Sequence, residues 1–464
     1  MKISKIEVFS ICEKYKRPIP IGVGTHYLRK NLLVKITADN GLVGWGEGSP
    51  LIPAYSGEVR DQMIDDIVKM VAPDILDERI ANVSDVIDLM DKVHRNKYYF
   101  MCTEAAVDIA LFDLVGQSKK EPIFNLIREE LGIENLNLNR LPPLPANFAV
   151  SRNATIKDDK INEMIKESEK YIDRGFQTIK IKIGIYKNSD IRAITTLHKY
   201  LKNNFPDRTI YLFADANQSY TTVEEGLEII KKIKAYVVCV EQPFHRNLSV
   251  LSKLLYEKMK KMENTPLLIT DEGSASIEEM ENILIGDASG GALLKMVRSG
   301  GFSFIIKLMK LLKKYPNFKL VPCSMTETGI GTLANLHSAL VVYDYCDLKL
   351  GFGFDGPLQV IGDEYKKGKD TILYKNKEKG LFTLDEKGVC IYNPEEIKGT
   401  GNGLGISVNH SYINKITETK TIIYQKNGII IKEEIPFKKG KDLKTKKIKT
   451  KLAKKEVILK YPRY

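Results

Sequence analysis

The 464-residue chain is poor in cysteine. Its six (Cys12, Cys102, Cys239, Cys323, Cys346 and Cys390) lie far apart and include no C-x-x-C pair. That excludes a disulfide framework and a zinc-cluster spacing, and fits reduced thiols in a cytosol. No apolar run approaches the roughly 18 to 20 residues of a membrane-spanning helix, so no membrane partner is expected. The opening, MKISKIEVFS, alternates charged and apolar side chains without an apolar h-region. No signal peptide is therefore expected, and the chain reads as cytoplasmic. Hydrophobic residues at 43% and charged residues at 28% match ordinary globular usage, which excludes wholesale disorder and collagen-like repeats. The length fits two to four domains.

The formal net charge of +12 hints at a polyanionic partner until it is located. Residues 411–464 hold sixteen Lys/Arg against five Asp/Glu, a net of +11, which leaves residues 1–410 at +1. The excess belongs to the C-terminal segment, which reads as a solvated basic tail. Within it, Lys420–Tyr424 and Gly428–Lys432 flank Gln425-Lys426-Asn427 and read as a hairpin with an Asn-Gly turn. Little aromatic interleaving follows Tyr424, which argues against nucleic-acid stacking.

In the body, Asn31–Thr37, the turn Asp39-Asn40-Gly41 and Leu42–Gly46 form a second hairpin signal. Residues 57–118 read as helices, giving an N-terminal α+β unit. From about 146, eight strand-like runs alternate with amphipathic stretches: 147–150, 178–183, 210–214, 236–240, 267–270, 292–297, 319–323 and 345–350. Their spacing is the βα period of a parallel barrel, although a doubly wound open sheet has the same pattern.

What ends these runs carries the chemistry. Asp215, Glu241 and Asp271 terminate strands three, four and five of the series. In a parallel barrel they would converge on one face. Three neighbouring carboxylates repel unless a hard cation neutralises them, and Mg²⁺ with sites left open for substrate oxygens does so. Lys180 and Lys182 lie on strand two and Lys295 on strand six, opposite across an eight-stranded barrel. Two amines on opposite faces of one carbon are what inversion by proton transfer requires.

Taken together, Lys180-Ile-Lys182, Asp215-Ala-Asn217, Glu241-Gln-Pro243, Asp271-Glu-Gly273 and Lys295-Met-Val-Arg-Ser-Gly-Gly301 resemble the enolase superfamily. Within it the likeness is to the muconate-lactonizing-enzyme-like branch, and there to dipeptide epimerases of the L-Ala-D/L-Glu type. The resemblance spans about residues 1–410 and includes Gly41–Glu47 and Gly403-Leu-Gly405. It implies an α/β architecture: a modified (β/α)-barrel (141–358), an N-terminal α+β capping domain (1–140) and a return segment packing on that domain (359–410), followed by the Lys-rich extension (411–464).

The resemblance also implies roles. Asp215, Glu241 and Asp271 match the Mg²⁺ ligands, Lys182 and Lys295 the acid–base pair, and Lys180 the accessory lysine. The substrate would be a small carboxylate, in the first instance a dipeptide. The loops Ile21–His26 and Pro53–Glu58 match the two specificity loops, so Thr25 and His26 are candidate substrate contacts, with Ser324 and Glu327 at the end of strand seven. For strand eight, Asp355 in Gly353-Phe-Asp-Gly-Pro357 competes with Asp347. The sequence departs from the epimerase pattern in having one aspartate where a D-x-D pair is usual, His26 where Arg is frequent and Ala149 where Thr is frequent. The same lysines would also serve an o-succinylbenzoate synthase or a muconate cycloisomerase. A third reading, from another class, is nucleic-acid or surface binding through the tail. Homo-oligomers are frequent in the family.

Overall fold

The computed structural model describes residues 1–21, 24–51, 53–95, 100–138, 140–150, 158–184, 187–354, 356, 372, 382–384, 389–392, 402–437 and 448–453. The N-terminal unit is built on β1 (Ile3–Ile11), β4 (Leu32–Ala38) and β5 (Val43–Gly48), which pair antiparallel. Between them, β2 (Glu13–Ile21) and β3 (Gly24–Arg29) form a separate two-stranded ribbon. The helix Met101–Lys119 lies on β5, and alternate glycines on that strand permit its approach. A Cβ on Gly44, Gly46 or Gly48 would sit 2.0, 2.1 or 2.4 Å from the carbonyl oxygens of Ala110, Ala106 and Cys102. Two residues of strand advance about as far as four residues of helix, so each glycine meets the next turn.

The barrel strands are β6 (Leu144–Val150), β7 (Thr178–Lys182), β8 (Tyr211–Asp215), β9 (Cys239–Glu241), β10 (Leu267–Thr270), β11 (Gly291–Leu294), β12 (Lys319–Pro322) and β13 (Phe352–Gly353). β6 through β12 pair in parallel in chain order, and β13 returns to pair in parallel with β6. Helices such as Lys187–Asn204, Val223–Ile233 and Gly329–Val341 alternate with them. Apolar residues of strands and helices form the core between the layers, with Ile179, Ile181, Ala214, Val240 and Leu255 fully buried. This is the TIM-like architecture expected from the sequence, and the open sheet is set aside.

Strand eight is corrected. The run 345–350 is not a strand: Tyr343–Tyr345 and Leu348–Leu350 are 3₁₀ turns, and β13 begins only at Phe352. Asp347 caps the second turn, its Oδ1 accepting from Lys349 N at 3.1 Å. A short side chain bonded to its own local backbone competes with a strand ladder. Gly351 follows at φ 64°, and Asn147 Nδ2 donates to the Leu350 and Gly351 carbonyls at 3.1 Å each.

The C-terminal segment also differs from a solvated tail. Ahead of it, in the return segment, β14 (Phe382–Leu384) pairs antiparallel with β15 (Val389–Tyr392), and β15 pairs antiparallel with β6 of the barrel. β16 (Thr417–Lys426), β17 (Ile429–Pro436) and β18 (Ile448–Ala453) extend the N-terminal sheet in the order β18-β17-β16-β1-β4-β5. The Asn-Gly turn is as expected: Asn427 and Gly428 both have positive φ, 51° and 74°, as a tight two-residue hairpin turn requires. β16 runs along β1 from Lys5↔Tyr424 to Ile11↔Thr417, burying Ile423. Part of the basic charge is answered there, since Glu7 of β1 pairs with Lys420 at 2.6 Å and lies near Lys5 and Lys35. Among the described residues no helix is long and apolar enough to cross a membrane.

Candidate active site

Asp215 ends β8 and stands in register with Lys182 of β7 and Glu241 of β9. Asp271 follows β10 by one residue, and Lys295 follows β11 by one. The parallel ladder thus brings all six sequence-selected residues to the carboxyl end of the strands. The three acids are buried, at 0%, 0% and 1% exposure. Just past them the chain turns sharply, with positive φ at Asn217, Gln218 and Gln242. Backbone held in that region by non-glycine residues is concentrated at functional sites.

Amines neutralise the acids. Lys180 Nζ bridges two of them, 2.6 Å from Glu241 Oε2 and 3.1 Å from Asp215 Oδ2. Lys182 pairs with Asp215, and Lys295 Nζ donates to Asp271 Oδ2 at 2.6 Å. Burial works against charge on Asp215 and Asp271. It is outweighed by Lys180 and Lys182 for the first and by Lys295 and Arg298 for the second, so both stay below the ordinary carboxylate range. Burial and the Asp215 charge push Glu241 well above it. Burial disfavours charge on Lys180, yet Asp215 and Glu241 hold its pKa well above the usual value.

Several residues of this cluster had no role in the sequence reading. Arg298 is fully buried, donates from Nη1 to Asp271 Oδ1 at 3.0 Å and from Nη2 to the Asp271 carbonyl at 2.8 Å. Gln242 accepts from Asp271 N at 2.7 Å and Thr270 Oγ1 at 2.9 Å, tying strand four to strand five. Tyr55 reaches in from the N-terminal unit, its hydroxyl 2.6 Å from Asn217 Nδ2 and its ring centroid 5.8 Å from Lys295 Nζ. Arg298 and Gln242 lie inside the motifs already singled out, so their closeness in sequence was the available signal. Tyr55 had none beyond its loop.

Three all-oxygen carboxylates on adjacent strands are the donor chemistry of a hard divalent cation. Glu272 Oε2 and Asn217 Oδ1, beside them, are buried oxygens without a hydrogen-bond partner among the described residues. As they stand, no three His, Cys, Asp or Glu side chains among the described residues converge closely enough to hold a metal ion. The Lys180 ammonium bridges Asp215 and Glu241 instead.

The expected substrate contacts do not all reach this cluster. Ser324 is half-buried at the end of β12, and its hydroxyl donates to Glu327 Oε2 at 3.0 Å while accepting from Thr326 N at 3.1 Å. Thr328, with its side chain accepting from Ile330 N, caps the helix Gly329–Val341. Glu327 is buried and pushed up to about 7 by that burial, with Met325 N and Asn335 Nδ2 donating to it. Thr25 pairs with Pro20 in the ribbon, and His26 with Ile19. His26 Nε2 is buried without a partner among the described residues. Asp355 lies outside the described residues. Asp347 is at the wrong end of the barrel, because the adjoining Lys349 carbonyl accepts from Thr178 Oγ1 at the start of β7, 2.8 Å away.

Glu58, in the second loop, is a structural anchor. Its carboxylate accepts from Cys102 N at 2.6 Å and Thr103 N at 3.1 Å, capping Met101–Lys119, whose own cap residue offers no side-chain bond. Asp108 does the same for Gly301–Leu312. Glu47 accepts from Thr328 N and Gly331 N at 2.9 Å each. Carboxylates of the N-terminal unit therefore cap two barrel helices, which fixes the unit over the strand ends. His337 is buried between Phe124 N and the Leu404 carbonyl, and needs no catalytic role.

Residues 5–128 match the family model "Mandelate racemase / muconate lactonizing enzyme, N-terminal domain", and residues 163–357 match "Enolase C-terminal domain-like". The chain is 23% identical over 426 residues to the N-succinyl-L-Arg/Lys racemase of Bacillus cereus, covering 91% of this chain and 100% of the relative. It is 27% identical over 375 residues to the L-Ala-D/L-Glu epimerase of Bacillus subtilis, covering 79% and 92%. The solved dipeptide epimerase from Cytophaga hutchinsonii, complexed with Mg and D-Ala-L-Val, superposes with a TM-score of 0.72 at 21% identity, covering 91% and 100%. That last likeness speaks for the fold.

Proposed function

Because the chain belongs to the mandelate racemase/muconate lactonizing enzyme family of the enolase superfamily, we propose that it is a Mg²⁺-dependent epimerase or racemase. It inverts a carbon α to a carboxylate or carboxamide, and its substrate is a dipeptide. The observation that carries this reading is the pair Lys182 and Lys295. They stand on β7 and just past β11, four strands apart around the ring, and each is bonded to an acid of the same cluster.

Asp215, Glu241 and Asp271 would hold Mg²⁺, and Arg298 and Gln242 would keep Asp271 in place. When bound, the ion stabilises the negative charge that develops next to the reacting carbon. The lysines do the rest. One neutral amine takes the α-proton from one face, and the ammonium opposite delivers a proton to the other face. The carbon is inverted, and the two lysines exchange protonation states. The reverse reaction uses them in exchanged roles. Tyr55 lies over Lys295 Nζ and the strand-end acids beside both amines are buried, which favours local proton transfer. The relatives' substrates, a dipeptide and an N-succinyl amino acid, share an acylated amino group beside the inverted carbon, which favours that class here.

The test is incubation in D₂O with MgCl₂ and a library of dipeptides and N-succinyl amino acids. Deuterium at one α-carbon together with inversion supports the reading. Loss of water or ring closure without α-exchange overturns it in favour of a synthase or cycloisomerase.

A further inference from the structure

The ribbon β2–β3 carries His26 yet joins no larger sheet, and it exposes Tyr27 and Leu28 at 61% and 44%. Its position is set at its base, where Glu13 faces Arg29 across the two strands. Arg29 is 1% exposed. Its Nε donates to Glu13 Oε2 at 2.9 Å, and Nη2 contacts the same oxygen. Its Nη1 donates to the Glu327 carbonyl at 2.7 Å. That carbonyl belongs to the loop after β12 that carries Ser324. Tyr15 of the ribbon adds a bond to Thr326 Oγ1 at 3.0 Å. The other oxygen of Glu13 accepts from Tyr412 OH at 2.7 Å. Tyr412 lies on the helix His410–Ile416, and Cys12 N, at the start of the ribbon, donates to the Ile416 carbonyl at 2.9 Å.

A planar guanidinium engaged on two edges by buried partners fixes orientation as well as distance. Here the two edges belong to two elements, the ribbon and the Ser324 loop beyond the carboxyl end of β12, which are separated by 298 residues of sequence. We propose that these two elements wall the substrate pocket, that Arg29 is a positioning residue that sets the spacing between them, and that Tyr412 of the C-terminal segment holds the Glu13 that holds Arg29. The C-terminal segment thereby takes part in substrate selection without touching the reacting atoms. The role in selection rests on the epimerase reading; the linkage itself does not.

The experiment compares full-length wild type with Arg29→Met, Arg29→Lys and Tyr412→Phe. Amide hydrogen exchange followed by mass spectrometry, with no substrate present, reads the linkage. Exchange in peptides covering 13–29 and 324–328 should rise about tenfold in Arg29→Met and measurably in Tyr412→Phe, with the distant helix Val223–Ile233 unchanged; tenfold corresponds to about 1.4 kcal/mol of local opening. On whichever compound the D₂O screen identifies, KM should rise about tenfold in both Arg29 variants with kcat within about twofold. Arg29→Lys keeps the charge but loses the fork, so it should not restore KM. Unchanged exchange in both segments overturns the linkage, and so does an equal rise everywhere. A fall in kcat at constant KM overturns the positioning role. If wild type exchanges no α-proton on any compound, the epimerase reading fails on its own, and the hydrogen-exchange comparison still decides the linkage. If Arg29→Met does not fold, Tyr412→Phe, which removes one hydroxyl, carries the test.

Discussion

Lys180 is the residue whose removal reads the site's electrostatics most cleanly. Its ammonium sits between Asp215 and Glu241, at 3.1 and 2.6 Å, with the lysine side chain 5% exposed and both acids at 0%. Lys180→Met keeps the side chain up to Cε and deletes the ammonium. The two oxygens that shared it lie at most about 6 Å apart, and two like charges at that distance would repel by about 3 kcal/mol at an effective dielectric of ~20. Removing one partner of a buried ion pair costs up to about 3–5 kcal/mol, and proton uptake by Glu241, already raised by burial and the Asp215 charge, offsets part of it, so the metal-free variant should be destabilised by up to about 3 kcal/mol. A cation bound to the same acids relieves the repulsion and no longer competes with the ammonium. The variant should therefore gain more from MgCl₂ than wild type does, by mass action on the folded state. Thermal unfolding with and without millimolar MgCl₂ measures both effects. A metal-free variant as stable as wild type, or an equal Mg²⁺ shift in the two proteins, would refute the reasoning.

Other outcomes follow from the same structure. Gly46→Ala sets a Cβ 2.1 Å from the Ala106 carbonyl, which must push the helix Met101–Lys119 off β5. Chemical denaturation should show a loss of about 1–3 kcal/mol or more. Asp108 is pushed up to about 7 by burial, against the bonds from Ser303 and Phe302. In the unfolded chain it titrates near ~4. Its folded value is higher, so its contribution to stability is complete below about pH 4 and is lost as the pH rises to about 7. Asp108→Asn does not titrate, and wild type should lose about 2–3 kcal/mol relative to it between pH 5 and 7; parallel pH profiles would contradict this. Asp215→Asn should weaken Mg²⁺ binding and lower turnover, read as a raised half-saturating Mg²⁺ concentration.

The candidate site was legible in the sequence because it is local. Each motif places one or two charged residues at a strand end, and the βα period brings those ends together. The Asn427-Gly428 hairpin was legible for the same reason. Strand eight was misplaced because apolar composition alone does not separate a strand from a 3₁₀ turn capped by Asp347. The capping role of Glu58 was not legible because its partners, the Cys102 and Thr103 amides, lie 44 and 45 residues away. The Arg29 link spans still more of the chain and joins residue types that carry no signal of their own. The net charge gave no sign that β16 to β18 would continue the N-terminal sheet, since pairing with β1 depends on an edge that only the fold presents.

The two-lysine assignment is the central claim, and single-lysine variants test it most directly. In D₂O with Mg²⁺, Lys182→Ala and Lys295→Ala should each lose inversion, while each still exchanges the α-proton of one enantiomer and the two prefer opposite ones. Normal epimerisation by either variant, or exchange of the same enantiomer by both, would contradict the account.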